Sequence, residues 1–159
     1  MGKEVKTNAM RMLERQKIPY RLNQYQCDEF IDGMKIADQL GQSYDISFKT
    51  LVTIGKSRQY YVFSLPVDKE LDMKKAARAV GEKNIEMVPV KDINKITGYI
   101  RGGCTPIGMK KQFPTVVHES AKEKEEIIIS GGRLGEQILL KPEDLLRAVN
   151  GSFADICKE

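Results

Sequence analysis

Short apolar runs separated by glycines predict a chain built from many brief elements. The clearest signal is a β-hairpin, because residues 48–54 and 60–65 are rich in β-branched and aromatic side chains and are joined by the turn 55–59. Side chains alternate between the two faces of a strand. Lys49 therefore shares a face with Leu51, and we expect it to lie beside apolar groups and not on a fully solvated face.

Helical periodicity and capping residues predict short helices between further strands. The helices are expected from Thr7 to near Ile18-Pro19 and over residues 34–40, 73–80, 92–97 and 142–149, and the further strands over 20–25, 85–90, 115–118, 126–130 and 137–141. The charged stretch 119–126 is expected to be a surface turn. Hairpins outnumber regular βαβ units, so the pattern predicts a single α+β (mixed α/β) domain, residues 1–159, around a central curved mixed or antiparallel sheet of about six or seven strands.

Composition excludes several classes of protein. The 159 residues are 41% hydrophobic and 30% charged, as in ordinary soluble domains. No apolar run is long enough to span a membrane, and the first six residues lack a signal-peptide core, so we expect a cytoplasmic protein. Three cysteines without a CxxC pair and a single histidine, His118, predict neither a metal site nor a disulfide framework, and no cofactor motif is present.

Positive charge is concentrated in two segments, although the formal net charge is only +4. Basic residues predominate in residues 1–25, and residues 95–111 contain no acid. Such patches fit a polyanion such as RNA, but they are also compatible with scattered solvated charge. The candidate RNA contacts are Arg11, Arg15, Arg101, Lys110 and Lys111.

The segment 98–108, GYIRGGCTPIG, is the strongest candidate for a binding loop. It holds four glycines and one proline within a stretch, 93–113, that has no acidic residue. Glycine allows the backbone to approach a ligand closely, and proline stiffens the chain that follows. An ordinary surface turn is the alternative. Together with Lys49, this loop indicates a site for a small anionic or carbonyl-bearing ligand.

Five segments together resemble the bacterial YbaK proteins, which are free-standing deacylases related to the editing insertion domain of bacterial prolyl-tRNA synthetase. The resemblance spans residues 6–149, and its segments are KTNAM at 6–10, IPY at 18–20, FKTLV at 48–52, PVDKEL at 66–71 and the loop 98–108. It implies release of a wrongly attached amino acid, chiefly cysteine, from tRNA(Pro). It also implies an α/β fold, a mischarged tRNA as substrate and prolyl-tRNA synthetase as a partner.

The resemblance also implies roles for individual residues. The key lysine of the family matches Lys49. Its Gly-x-x-x-Pro loop, whose backbone N–H groups approach the substrate carbonyl and the terminal adenosine, matches residues 102–106 and includes Gly102 and Gly103. The substrate-binding candidates are Tyr20, Thr50, Cys104, Pro106 and Ser130. One departure stands out, because Gln137 lies where some relatives carry an acid, and no carboxylate role is transferred to it.

The chemistry of the substrate is compatible with a site that has no nucleophile of its own. A cysteinyl ester carries a thiol that can attack its own carbonyl, and such intramolecular attack gains from proximity. The protein then needs only to bind the ester and stabilise negative charge, through Lys49 and the backbone N–H groups of Gly102 and Gly103.

Two alternatives remain open at this point. The same fold could clear alanine from tRNA(Pro) with water as the nucleophile, or the chain could bind tRNA or a synthetase without catalysis. Lys49 could also pair with an acid across the sheet, Tyr20 and Ser130 could be structural, and Cys104 could be a packing residue.

Overall fold

Five helices and eight strands alternate along residues 5–159, which are the residues that the computed structural model describes. Residues 1–4, including the basic Lys3, lie outside the described residues. The helices are α1 Asn8–Arg15, α2 Gly33–Leu40, α3 Met73–Val80, α4 Val90–Thr97 and α5 Pro142–Val149. The strands are β1 Arg21–Gln24, β2 Phe48–Gly55, β3 Tyr60–Pro66, β4 Ile85–Met87, β5 Thr115–His118, β6 Ile127–Ser130, β7 Glu136–Leu140 and β8 Ser152–Ala154.

Capping residues define the ends of several helices, and the cap of α1 at Thr7 is one that the sequence predicts. Side-chain oxygens of Thr7, Asp32 and Asp72 accept hydrogen bonds from the first-turn N–H groups of α1, α2 and α3. Glycines in the left-handed conformation end α2, α3 and α4, at Gly41, Gly81 and Gly98. None of the helices within residues 5–159 is long and apolar enough to cross a membrane.

The prediction of one sheet with six or seven strands is wrong, because the eight strands form two sheets. The smaller sheet has the antiparallel order β1–β7–β6, and the larger has the order β4–β2–β3–β5–β8 with parallel β3–β5 and β5–β8 pairs. Within residues 5–159, the backbone pairing between the two sheets is a single isolated bridge between Ser47 and Ile128, so the ladder is interrupted there. The sequence pattern also missed β8, which has only three residues and no buried side chain.

The hydrophobic core consists of three clusters that hold the sheets and helices together. One lies between α1, α5 and the smaller sheet, and includes Leu13, Ile129 and Leu145. A second packs α3 against β3, and a third packs β2 and β3 against the α4 region and residues 99–113. The expected surface turn after β5 is a 3-10 helix, Glu119–Glu123, which buries Ala121 completely.

Candidate functional site

A cavity of about 410 Å³ lies where the two sheets meet. Its wall includes residues 48–52 of β2, the N-terminal end of α2, the start of α4 and parts of β6 and β7. The glycine loop contributes Arg101, Gly102 and Cys104. The structure thus brings the strand that carries Lys49 and the glycine loop to one cavity, although about 50 residues separate them in the chain.

Lys49 is half-buried in this wall and has no carboxylate at ion-pair distance within residues 5–159. Its ammonium donates a 3.4 Å hydrogen bond to the carbonyl oxygen of Val67. Burial lowers the pKa of Lys49, and the more distant charges of Cys157, Glu70, Asp68 and Asp32 oppose that shift only in part. A lysine with weak protein contacts beside a cavity can contact a ligand without first breaking a salt bridge.

The glycine loop is held in place by contacts that leave no room for side chains. Gly102 and Gly108 have positive φ angles of 86° and 77°. A Cβ at Gly102 would lie 2.7 Å from Leu134 and 3.1 Å from Phe30, and one at Gly103 would lie 2.8 Å from the backbone of Arg133. Glycine is therefore needed at these positions because of close packing as well as backbone conformation.

The two glycines predicted to contact the substrate differ in their surroundings. The N–H of Gly103 donates to the carbonyl oxygen of Ile100 at 2.9 Å and closes a turn, and Gly103 is buried away from the cavity. Gly102 lines the cavity, and its N–H has no acceptor within residues 5–159. Gly102 is thus the glycine whose N–H is available to a ligand in this geometry.

A network of neutral amides forms another part of the cavity wall. The Gln137 Oε1 atom accepts hydrogen bonds from Asn23 Nδ2 at 2.9 Å and from Gln42 Nε2 at 2.8 Å. Gln137 Nε2 donates back to Gln42 Oε1 at 3.0 Å. The wall is therefore uncharged at the position where some YbaK relatives carry an acid. Ser130 lies next to Gln137 across the β6–β7 pair and accepts a hydrogen bond from the Gly132 N–H.

Several predicted site residues lie away from the cavity. The Tyr20 hydroxyl donates to Glu14 at 2.7 Å, and burial together with this contact raises the pKa of Tyr20. Pro106 is buried in the loop outside the cavity wall. Thr50, in contrast, lines the cavity beside Lys49.

The predicted RNA contacts are exposed, but only Arg101 reaches the cavity. The other four predicted contacts, Arg11, Arg15, Lys110 and Lys111, are exposed outside the cavity wall. The loop packs against the first turn of α1, since a Cβ at Gly108 would lie 2.8 Å from the backbone of Asn8. This contact brings the end of the loop to the helix that carries Arg11 and Arg15.

No residue of the cavity wall has the surroundings of an activated nucleophile. Burial raises the pKa of the Cys104 thiol to about 11. His118 lies outside the wall, where it contacts Ser120 and Asp155. Within the part of the chain that the structure describes, no group of three histidine, cysteine or acidic side chains could hold a metal ion.

Sequence reasoning missed much of the wall, and Phe30 and Gln42 are two of the residues that it missed. Phe30 sits in the irregular segment before α2, where no periodicity distinguishes it. Gln42 becomes a site residue only through its contact with Gln137, which is 95 positions away. Neither residue has a local signal that could have identified it.

Comparisons with known proteins agree with this geometry. The family model of the aminoacyl-tRNA editing domain matches residues 34–148, which include Lys49, the glycine loop and Ser130. An Enterococcus faecalis protein, EbsC, provisionally named a Cys-tRNA(Pro)/Cys-tRNA(Cys) deacylase, is 48% identical over 152 residues, covering 95% of this chain and 93% of the relative.

Solved structures show the same fold at low identity. A protein provisionally described as a trans-editing enzyme for prolyl-tRNA synthetase has a TM-score of 0.84 and 22% identity, and the match covers 98% of this chain and 100% of the other. A hypothetical protein has a TM-score of 0.86 and 21% identity, over 95% and 99% of the two chains. The family match and the close relative show that this chain belongs to the aminoacyl-tRNA editing domain family.

Proposed function

We propose that this protein is a trans-editing deacylase that removes cysteine from Cys-tRNA(Pro), and from Cys-tRNA(Cys) as the name of the 48%-identical relative suggests. The observation that carries the proposal is the half-buried Lys49, which has no salt bridge in the described chain and lies in one cavity with the free N–H of Gly102. A cation and a backbone donor at one site suit an ester whose carbonyl oxygen becomes negative during the reaction.

Lys49 and Gly102 are assigned to the carbonyl oxygen of the ester. The ammonium of Lys49 supplies charge, and the Gly102 N–H supplies a directed hydrogen bond. Gly103 holds the loop in shape through its contact with Ile100. Thr50, Cys104 and Ser130 lie in the same wall and contact the aminoacyl group, whereas Tyr20 and Pro106 act through the packing of their segments.

The nucleophile is assigned to the substrate because the cavity wall offers no activated protein group. After the cysteine thiol loses its proton to water, the sulfur attacks the carbonyl carbon, and the ester C–O bond breaks. The ribose oxygen leaves after taking up a proton, and a four-membered thiolactone of sulfur, Cβ, Cα and the carbonyl carbon remains. Water then opens the ring to free cysteine. Holding thiol and carbonyl together accelerates the first step.

Selection of the tRNA is assigned in part to a partner. The described basic residues Arg11, Arg15, Lys110 and Lys111 are exposed and give the protein electrostatic attraction to RNA, which carries no sequence information by itself. A complex with prolyl-tRNA synthetase in the cytoplasm would supply the identity of the tRNA.

The test is release of labelled amino acid from tRNA(Pro) charged with cysteine, with alanine or with 2-aminobutyrate, in which a methyl group replaces the thiol. We expect release of cysteine only. Release of alanine and 2-aminobutyrate at comparable rates would assign the attack to water and overturn the thiol mechanism. If none of the three is released, even with prolyl-tRNA synthetase present, a non-catalytic binding role replaces the proposed one.

A further inference from the structure

The paired amides of Gln137 and Gln42 have hydrogen-bond donors to spare at the cavity wall. Both residues line the cavity, and each amide nitrogen donates one hydrogen bond to the oxygen of the other amide. A carboxamide nitrogen carries two hydrogens. Among the hydrogen bonds of residues 5–159, these nitrogens make no second one, so one N–H of each amide is left for a ligand.

The Gln137 amide offers a ligand its nitrogen and not its oxygen. Its Oε1 atom already accepts from Gln42 Nε2 at 2.8 Å and from Asn23 Nδ2 at 2.9 Å, which occupies both lone pairs. The residue is only 7% exposed, and a buried N–H without an acceptor costs free energy. A bound group that accepts a hydrogen bond would remove that cost.

The junction of the two sheets places Gln137 near Lys49. Ser47 and Ile128 form a parallel bridge, and Lys49 and Ser130 each lie two residues beyond it, on the same face of their strands. Gln137 is the partner of Ser130 in the β6–β7 pair. Lys49, Ser130 and Gln137 thus follow one another across three strands, and a group bound at Lys49 can extend past Ser130 to the amides.

The charges of the wall favour an anion beside these donors. Its titratable residues are Tyr25, Asp32, Lys49, Arg101, Cys104 and Glu136. Both acids are engaged, since Asp32 caps α2 and Glu136 Oε1 accepts from Arg133 Nε at 2.8 Å. Tyr25 and Cys104 are neutral near neutral pH, because burial raises the pKa of both. The groups next to the Gln137 amide, on β1, on β6 and at residue 42, are uncharged.

We propose that the free N–H groups of Gln137 and Gln42 bind the side-chain sulfur of the aminoacyl group and stabilise it as the thiolate. This assignment rests on the proposed function and deepens it, because there the sulfur is the nucleophile and attacks only after it has lost its proton. Hydrogen bonds to the charged form of a group favour that form, whereas a carboxylate at the same position would repel it.

The test measures ionisation of the bound thiol apart from catalysis. The probe is an RNA hairpin of the tRNA(Pro) acceptor stem with cysteine attached through an uncleavable 3′-amide. Its Cβ is isotopically labelled, so that the NMR shift follows ionisation of the thiol. The thiol is titrated in complexes with the wild type, Gln137→Glu and Gln137→Met. Gln59→Glu is the matched control, because it makes the same change of side chain outside the cavity wall.

We expect the wild type and Gln59→Glu to lower the pKa of the thiol relative to the free probe. Gln137→Glu should raise the bound pKa above the wild-type value by roughly 1–3 units, the size of shift that a charge at 4–6 Å produces. Gln137→Met should raise it by less, because methionine removes the donor without adding a charge. In single-turnover release of cysteine, the ascending limb of the pH profile should move to higher pH by the same amounts.

Equal ionisation of the bound thiol in wild type and Gln137→Glu would overturn the proposal. If Gln137→Glu does not fold in a urea-unfolding control, equal ionisation in wild type and Gln137→Met overturns it instead. So would a loss of activity in Gln137→Met that does not recover as the pH rises, since a purely structural residue behaves in that way. Failure of the proposed function is distinguishable, because cysteine release from the natural ester is then absent while ionisation of the bound thiol still depends on Gln137.

Discussion

The Lys49 ammonium lies 3.4 Å from the carbonyl oxygen of Val67, which is its hydrogen-bond partner in the described chain. A neutral carbonyl compensates little for the burial of a charge. Burial of the Lys49 ammonium therefore lowers the free energy of unfolding. Its position is explained better by contact with a ligand than by a contribution to stability.

Replacement of Lys49 should separate activity from stability. We expect Lys49→Met to lower kcat/KM for cysteine release by about 10²- to 10³-fold, as loss of an oxyanion donor does. The free energy of unfolding should stay equal or rise, because methionine keeps the apolar stem and removes a partly desolvated charge. The measurements are single-turnover deacylation and urea unfolding. A variant that loses stability and activity together would indicate a structural lysine instead.

The lowered pKa of Lys49 predicts the alkaline side of the pH profile. Because the ammonium is the active form, kcat/KM should fall as the pH rises through this pKa, at lower pH than for an ordinary lysine, whose pKa is 10.5. Lys49→Arg should move that descending limb to higher pH, since arginine stays charged. The measurement is kcat/KM between neutral and alkaline pH for both proteins, and an unmoved limb would remove Lys49 from the assignment.

The same shift predicts the sign of a stability change. The folded protein binds fewer protons at Lys49 than the unfolded chain, so stability should increase as the pH rises between the lowered pKa and 10.5. Subtracting the unfolding free energy of Lys49→Met at each pH isolates this contribution. A difference that decreases over that window would contradict the direction of the shift.

Two glycines with nearly equal φ angles allow the cost of close packing to be measured separately from the cost of backbone strain when each glycine is replaced by alanine. Gly81 (φ 75°) ends α3 and has open space around it, whereas Gly108 (φ 77°) lies against α1, where a Cβ would be 2.8 and 2.9 Å from backbone atoms of Asn8 and Ala9. Gly81→Ala should cost about 1 kcal/mol in unfolding free energy. Gly108→Ala should cost about 1–3 kcal/mol more, because backbone atoms must move.

Urea unfolding of the two alanine variants measures both costs. Both alanines carry the same cost of a positive φ angle, so the difference between the two unfolding free energies is the cost of the close packing at Gly108. Equal destabilisation would mean that the loop and α1 separate easily, and the assumption of a rigid glycine loop beside the cavity would then be wrong.

Local chemistry made much of the fold predictable. The β2–β3 hairpin, the caps at Asp72 and Gly81, and the start of α5 at Pro142 follow from side-chain alternation and from which backbone groups each residue can satisfy. The division into two sheets did not follow, because the pairing between them is limited to the isolated bridge of Ser47 and Ile128, and neither residue carries a sign of that break.

The part of the site that could be predicted from the sequence is the part that lies in recognisable motifs. Lys49, Thr50, Gly102, Cys104 and Ser130 belong to recognisable segments, and the structure places all five in the wall of one cavity. Phe30, Gln42 and the contact of Gly103 with Ile100 depend on tertiary packing, which a single sequence does not encode locally. The roles of all these residues stay predictions until they are tested by substitution.

Cys104 provides the most direct test of where the nucleophile resides. Burial raises the pKa of its thiol to about 11, so the thiol is protonated near neutral pH and is a poor nucleophile. We therefore expect Cys104→Ala to keep kcat/KM for cysteine release within about threefold, the order of effect of a small packing change. Cys104→Ser is the matched control, since it keeps a polar atom at the same position. If both variants fold normally but lose activity, and the wild type forms a covalent aminoacyl-enzyme in a single-turnover trap, the attack belongs to Cys104. The substrate thiol would then have no part in breaking the ester bond.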